Sequence, residues 1–504
     1  MFIDPKSITM DILNLSTLMP MLIAIVGGLV ILTIDLFKEN IHKSLYVMLT
    51  VLILIVDLGA VMGLNFGPNE KGFFDVLLID GLAVISQILI LVASILFIPL
   101  ALTSKRFHEY SYPEFFALFM FMIAGFQFMV ASDNLILIFI GLETASLSLY
   151  TLIALHNRHN SFEAAVKYFT MGALAAGFFS MGAAVLYGIS GSLELNQISD
   201  AIQLRMDEPG MMILLLGGAG LLLAAFAFKL SLFPFHTWAP DVYEGASAPL
   251  AGYMSVVPKV AAFVVSMRIF EMFIALNIEW VQTMIIILAV ITMTIANIMA
   301  LVQEDVKRML AYSSISHAGF VMVAIALATV KANTGIFLYY GLFMFTNLGA
   351  FAMLWVSRHK HRVHHERFDH PYEKFSGMIK IMPMGAIVMA LFMLSLAGVP
   401  PFSVFWGKIY LMSATVDAGY LWLAIVMGLN SAIAAYYYLK LIVYMFLKEP
   451  TTEADAETVY YNVSKPLLTI LGFAVFVTVA SIFYVNPLID YITEMIKVSA
   501  IGLN

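Results

Sequence analysis

Fourteen runs of mostly apolar residues, each about as long as a membrane-crossing helix, follow one another along this chain. A transmembrane helix needs about 20 such residues. The runs centre on Val26, Leu54, Ile90, Ile123, Ile140, Ala175, Leu222, Val264, Val290, Val321, Phe343, Leu396, Val426 and Val475. They are continuous rather than alternating, which excludes a transmembrane β-barrel. Only 12% of the 504 residues are charged, against about 25% in soluble domains. The chain therefore reads as an all-α integral membrane protein with 14 transmembrane helices. It has no cysteine, which excludes disulfides, cysteine-ligated iron–sulfur clusters and thiol chemistry. Its 33 methionines are scattered through the spans and read as packing residues. The opening stretch MFIDPKSITMDILNLS lacks a basic region and a small-residue cleavage site, so the first run reads as a retained helix.

The basic residues set the expected orientation. Fifteen Lys and Arg, from Lys38 to Lys465, fall after odd-numbered spans. Six fall in the termini and the other loops: Lys6, Lys71, Arg205, Arg268, Lys331 and Lys497. The positive-inside rule then puts the odd loops in the cytoplasm and both termini outside. Five lysines belong to no loop: Lys167, Lys229, Lys259, Lys408 and Lys440. Lys440 is near a cytoplasmic helix end, where it can snorkel to the interface. A charge in mid-membrane costs roughly 2.5–3.5 kcal/mol on insertion scales and usually marks an ion or proton pathway. Lys229, Lys259 and Lys408 are candidates on that ground, as is Glu143 in the run IFIGLETASLSLYTLIAL. Lys167 is close to the loop HNRHNS, so snorkelling competes with a pathway role. Asp57 is a buried acid with no obvious partner.

Two stretches match each other. FKLSLFPFHTWAPDVY runs from Phe228 to Tyr243, and FMLSLAGVPPFSVFWGKIY from Phe392 to Tyr410. Each has F-x-LSL, then proline and phenylalanine, then an aromatic cluster, with spacings that differ by three residues. Interior proline removes a helical hydrogen bond and clashes with the preceding turn. Pro234 and the pair Pro400 and Pro401 are thus expected to break the seventh and twelfth spans. Five spans separate the copies, so they run in opposite directions, and inverted repeats with discontinuous helices typify transporters.

The string KLSLFPFHTWAPDVYEGASAPL, then PKVAAF, then EDVKRMLAYSSISHAGF, resembles the antiporter-like subunits of respiratory complex I, the proton-translocating NADH:quinone oxidoreductase of bacteria. The PDVYEGA element resembles the N-type branch, whereas L- and M-type sequences more often carry a PDAH-type string. A lysine at 408 fits the same branch, since M-type sequences tend to carry glutamate there. The resemblance implies two inverted five-helix repeats, spans 4–8 and 9–13. The chain then divides into 1–112, 113–275, 276–447 and 448–504. It also implies a polar row along the membrane plane formed by Glu143, Lys229, Lys259 and Lys408, with Lys167 and His317 at further polar positions.

A carboxylate beside a lysine holds its proton, and withdrawing that carboxylate releases it. Glu143 and Lys229 are accordingly expected to act as a switchable pair, with Lys259 as relay and Lys408 as exit site. His317 has a rival reading as a satisfied polar residue between helices. His236, at the first break, reads equally as a donor to freed carbonyls. The histidine-rich loop SRHKHRVHHERFDHPYEK reads as a solvated basic loop near anionic lipid. The chain carries no dinucleotide, flavin or cluster signature, so cofactors (flavin, iron–sulfur clusters, quinone) are expected in partner subunits. Alone, the chain is expected to lack NADH:quinone activity. The expected partners are other membrane-arm subunits, including the M-type subunit and the small K- and J-type subunits, together with membrane lipid and no nucleic acid. The expected location is the bacterial cytoplasmic membrane. A multisubunit sodium/proton antiporter and an energy-converting membrane hydrogenase are the alternatives.

Overall fold

The computed structural model describes residues 13–37, 41–63, 70–103, 108–359, 370–450, 459–461 and 464–499. In hydrocarbon every backbone polar group must find a partner within the segment, so long apolar runs become helices. The helices are α1 Met19–Phe37, α2 Lys43–Gly63, α3 Gly81–Phe97, α4 Pro113–Val130, α5 Leu135–Ala154, α6 His159–Ser190, α7 Leu195–Arg205, α8 Met211–Lys229 and α9 Trp238–Gly245. They continue as α10 Ala248–Met254, α11 Val257–Ala275, α12 Glu279–Leu301, α13 Val306–Leu327, α14 Val330–Met353, α15 Met378–Ile381, α16 Pro383–Ala397, α17 Ser403–Asp417, α18 Leu421–Leu447 and α19 Lys465–Lys497. The 14 sequence centres all fall within these helices. Two antiparallel ribbons complete the fold: β1 Glu70–Gly72 on β2 Leu77–Ile79, and β3 Ser357–His359 on β4 Val459–Tyr461.

Among the described residues, 13 helices are long and apolar enough to cross a membrane, and Pro383–Ala397 is a shorter apolar helix. Side-chain caps start several of them. Asp80 accepts from Ala83 N at the head of α3, Asn134 from Ile136 N and Leu137 N at α5, and Asp305 from Lys307 N and Arg308 N at α13. Each cap satisfies amides that have no partner within the helix. α4 and α5 pack backbone to backbone: a Cβ on Gly125 would lie 2.7 Å from Gly141 O, so only glycine allows this approach. α11, α13 and α14 form the centre and are buried almost all round, while in α1, α2, α6 and α19 only a minority of the residues are buried.

Three of the apolar runs are interrupted. The first breaks between α8 and α9, around Pro234, and the second between α16 and α17, around Pro400 and Pro401. Both were expected, and the peptides Phe233–Pro234 and Pro400–Pro401 are cis. A residue in the left-handed region stands three positions before each second-half proline: Ser231 (φ 59°) before Pro234, and Gly398 (φ 86°) before Pro401. The LSL triplets do not coincide in this frame. α8 ends at Lys229, before its LSL, whereas α16 runs through its LSL to Ala397. That difference accounts for the three-residue discrepancy in spacing. The third interruption, at Ser255–Val256 between α10 and α11, was not expected. Pro258 follows it, at a helix start where the missing amide costs nothing.

Several sequence assignments are corrected here. Arg268 is not a loop residue; it lies inside α11, 6% exposed, and pairs with Asp80. Asp57 does have a partner, because Gln127 Nε2 donates to its two carboxylate oxygens at 3.0 and 2.9 Å. Lys440 reaches the loop end of its helix, where it donates to Gln303 O at 3.3 Å and lies 4.3 Å from the centre of the Tyr372 ring. In the histidine-rich loop, His361, His364 and His365 lie outside the described residues.

Candidate functional site

Each of the three central lysines sits at a helix interruption. Lys229 is the last residue of α8, Lys259 the third of α11, and Lys408 lies in the second turn of α17. At the second break the last carbonyls of α16 have no partner within the helix, and these dipoles hold a buried cation without a counter-ion.

Lys229 Nζ donates to Ser146 Oγ at 2.5 Å. It also lies 5.6 and 5.9 Å from the ring centres of Phe228 and Tyr168, in reach of their π-faces. Tyr168 is in turn stacked on Trp238, with centroids 4.3 Å apart, so α6 and α9 hold this wall together. Glu143 precedes Ser146 by one turn on the same face of α5. Among the described residues no ion pair joins Glu143 to Lys229, which is the separated arrangement of the two residues expected to act as a switchable pair. Glu143 Oε1 is buried without a hydrogen-bond partner, although the two charges act on each other electrostatically. Ser146 holds the Lys229 ammonium in this arrangement.

Lys259 is 2% exposed and donates to Ser314 O at 2.6 Å and Ser314 Oγ at 2.7 Å. The adjacent Ser313 bonds the Tyr438 hydroxyl of α18. His317 continues this arrangement one turn further along α13. Its Nε2 lies 3.0 Å from Tyr438 Oη, and its Nδ1 bonds the Tyr339 hydroxyl of α14. His317 is thus a fully satisfied residue between helices, and it also lies within electrostatic reach of both Lys259 and Lys408. Lys408 is 6% exposed and reaches back to the break, donating to Leu396 O at 3.0 Å and Ala397 O at 3.1 Å. Its backbone lies beyond the break, as expected, but its ammonium does not.

Lys167 belongs to a different grouping. It pairs with Glu163 at 2.8 Å and with Asp241 at 2.9 Å, and its side chain is 43% exposed. Asp241 also meets Arg308 at 3.1 Å, and Arg308 pairs with Glu244. Lys307 donates to Glu244 O at 2.8 Å and Ala246 O at 2.5 Å. The PDVYEGA element is therefore the acceptor side of a cation cluster at the head of α13. His236 lies in the first break, half-buried, its ring 5.6 Å from that of Phe233. Trp238 Nε1 donates to Phe228 O at 3.1 Å, adding to the bond that carbonyl accepts from Ser231 N and tying α9 to the end of α8.

The sequence reading missed Ser146, Ser314, Tyr339 and Tyr438, because hydroxyls in apolar runs carry no signal of what they will face. It also missed the pair of Arg268 and Asp80 at the opposite end, at 2.7 and 2.9 Å. There the run FVVSMRIFEMFIAL, with Arg268 and Glu271 three apart, was a signal available for use.

The chain matches the family model described as NADH:quinone oxidoreductase/Mrp antiporter, transmembrane, over residues 132–434. It is 73% identical over 497 residues to NADH-quinone oxidoreductase subunit N of Sulfurovum sp. (strain NBC37-1), with 99% of each chain covered. It is 60% identical to the subunit N of Sulfurimonas denitrificans, covering 97% of this chain and 98% of that one. Among solved structures it resembles a chain of respiratory complex I from Thermus thermophilus, with TM-score 0.75 and 27% identity over 94% of this chain and 98% of that chain. By the family model and by these relatives alike, the chain belongs to the subunit N family of NADH-quinone oxidoreductase, within the wider antiporter-like membrane family.

Proposed function

We propose that this chain is a proton-translocating subunit in the membrane arm of an NADH:quinone oxidoreductase, and that Glu143, Lys229, Lys259 and Lys408 carry the protons. The observation that supports this most is the pattern of partners along the row. Three lysines at interruptions of apolar helices are held by hydroxyls and carbonyls, and among the described residues none has a carboxylate at ion-pair distance. Lys167, which has two such carboxylates, is the contrast. An ammonium held by dipoles alone is sensitive to any charge that approaches or leaves, so it can load and unload a proton.

The proposed cycle starts at Lys229. Approach of the Glu143 carboxylate holds the Lys229 proton, and its withdrawal sends that proton toward Lys259. From Lys259 the hydroxyls of Ser314, Ser313 and Tyr438 lead to His317 and Tyr339, and then to Lys408. Lys408 is the exit site, and Lys167 and His236 are peripheral to the transfer. One charge moved across 100 mV costs about 2.3 kcal/mol, which a change of ion-pair partner on a buried lysine can supply.

In this reading the chain crosses the bacterial cytoplasmic membrane 14 times, with both termini outside. Spans 4–8 (113–275) and 9–13 (276–447) form inverted repeats, flanked by 1–112 and 448–504. The left-handed residue three positions before both Pro234 and Pro401 supports that symmetry. Flavin, iron–sulfur clusters and quinone belong to partner subunits, and redox energy reaches this chain as electrostatic and conformational change. The M-type subunit and the small K- and J-type subunits are the proposed neighbours. Identity to subunit N over nearly the whole chain supports this reading over an antiporter or hydrogenase role.

The test uses the complete complex in proteoliposomes. Lys229→Ala and Glu143→Ala should each lower the ratio of protons pumped to electrons transferred. Normal stoichiometry at normal turnover in both variants would reject the proposal.

A further inference from the structure

One buried pair outside the lysine row has hydrogen-bonding groups left over. Glu271 of α11 is 2% exposed, and Asn333, in the first turn of α14, is 0% exposed. Asn333 Nδ2 donates to Glu271 Oε2 at 3.1 Å. The remaining atoms of the pair, Glu271 Oε1 and Asn333 Oδ1, are both buried without a hydrogen-bond partner. With an ionised carboxyl both are acceptors, and buried acceptors without donors are rare and costly.

The surrounding charges leave the same deficit. Arg268, one turn earlier on α11, has Nη1 and Nη2 engaged by both oxygens of Asp80, and Nη2 also donates to Val130 O at 3.2 Å; its Nε is buried too and donates neither to Glu271 nor to any other described residue. Lys331, at the head of α14, pairs with Asp417 of α17 at 2.5 Å. Lys71 of β1 faces Asp133 and Glu194, both at 3.6 Å. Among the described residues no cation lies at ion-pair distance from Glu271, so an ionised Glu271 would be a buried anion with no counter-ion of its own, and such charges are strongly disfavoured.

We propose that Glu271 carries a proton and closes a two-point ring with Asn333: Nδ2–H to Oε2, already in place, and Oε1–H to Oδ1. A single proton satisfies both leftover atoms, because it converts one acceptor into a donor for the other. The pair is thus a second proton-binding site of this chain. It lies on the same helix as Lys259 but 12 positions away, about 18 Å along the axis. Release of the proton leaves the carboxylate hydrogen-bonded to Asn333 and one turn from Arg268. Its use in transport rests on the proposed function above, as a holding site toward the Asp80 end; the proton binding itself does not.

Infrared spectroscopy of the assembled complex in membranes tests this directly. Wild type at neutral pH should show a carboxylic-acid C=O band that Glu271→Gln removes and that moves to lower frequency in deuterium oxide. The amide introduced by Glu271→Gln would face that of Asn333 in the same two-point ring, so this variant should assemble at wild-type levels. Asn333→Leu, which removes both ring contacts, should shift the band to higher frequency. Loss of only a carboxylate band in Glu271→Gln would overturn the proposal. A carboxylic-acid band that never exchanges with deuterium would overturn the holding role. Neither readout depends on pumping, so this proposal and that for the lysine row can fail separately.

Discussion

The ammonium of Lys408 donates to the main-chain carbonyl of Ala397 at 3.1 Å, so a side chain from beyond the break caps the helix before it. The adjoining carbonyl, Leu396 O, accepts from the same nitrogen at 3.0 Å. One residue therefore serves as helix cap and as a buried charge, and the two roles can be separated by substitution.

Arginine at this position keeps donors for both carbonyls but does not release its proton in proteins. Lys408→Arg should leave assembly and thermal stability near wild type while lowering proton pumping. Lys408→Leu removes the donors and leaves two buried carbonyls unpaired, at about 1–3 kcal/mol each. It should lose stability and pumping together. Thermal unfolding and proton stoichiometry, measured on the same preparations, distinguish the two, and equal behaviour of both variants would contradict the separation.

Gly398 is the residue that lets Lys408 reach the break. It has φ 86°, and a Cβ there would lie 2.9 Å from Lys408 Cδ and 3.3 Å from Nζ. Gly398→Ala should therefore destabilise the complex by about 1 kcal/mol or more through backbone strain alone. It should also displace the ammonium from Ala397 O. A melting temperature and pumping rate equal to wild type would show that this close approach does not matter.

Lys167 contrasts with the row. Its side chain is 43% exposed and has two carboxylate partners, of which Asp241 keeps Arg308 when the lysine is removed. Exposed ion pairs contribute about 0–1 kcal/mol. Lys167→Ala should lower thermal stability slightly and leave the proton-to-electron ratio near wild type. A loss of pumping as large as that of Lys229→Ala would move Lys167 into the transfer path.

The buried pair of Arg268 and Asp80, 3% and 0% exposed at the side chains, should be structurally demanding. Removing one partner of such a pair costs about 3–5 kcal/mol, because it strands the other charge. Arg268→Leu should lower the yield of assembled complex sharply. Adding Asp80→Asn should recover part of the loss, since asparagine keeps the α3 cap without the stranded charge. Absence of any recovery in the double variant would place the defect elsewhere.

Much of this architecture was legible in the sequence. Apolar runs of helical length fix helices because hydrocarbon offers the backbone no other partner, and Pro234 and Pro401 mark two breaks for covalent reasons. The interruption at Ser255–Val256 was missed, although Pro258 advertised it. The lysines and Glu143 stood out by their cost of burial. Their partners did not: Ser146 is 83 residues from Lys229 and Ser314 is 55 from Lys259. Contacts of that range follow from helix packing, which no local pattern encodes. The switchable pairing of Glu143 with Lys229 was inferred from charge, and the hydroxyl that holds Lys229 while the two are apart, that of Ser146, carried no such mark.

The central claim is that buried lysines without counter-ions pass protons by changing charge. Lys259 tests it best, since among the described residues its ammonium is held only by Ser314. The measurement is the proton-to-electron ratio of the reconstituted complex carrying Lys259→Arg, always charged, or Lys259→Met, never charged. Both variants should lose most of the pumping attributable to this chain, since neither can alternate between charge states. A wild-type ratio at wild-type quinone reduction in both would contradict the account.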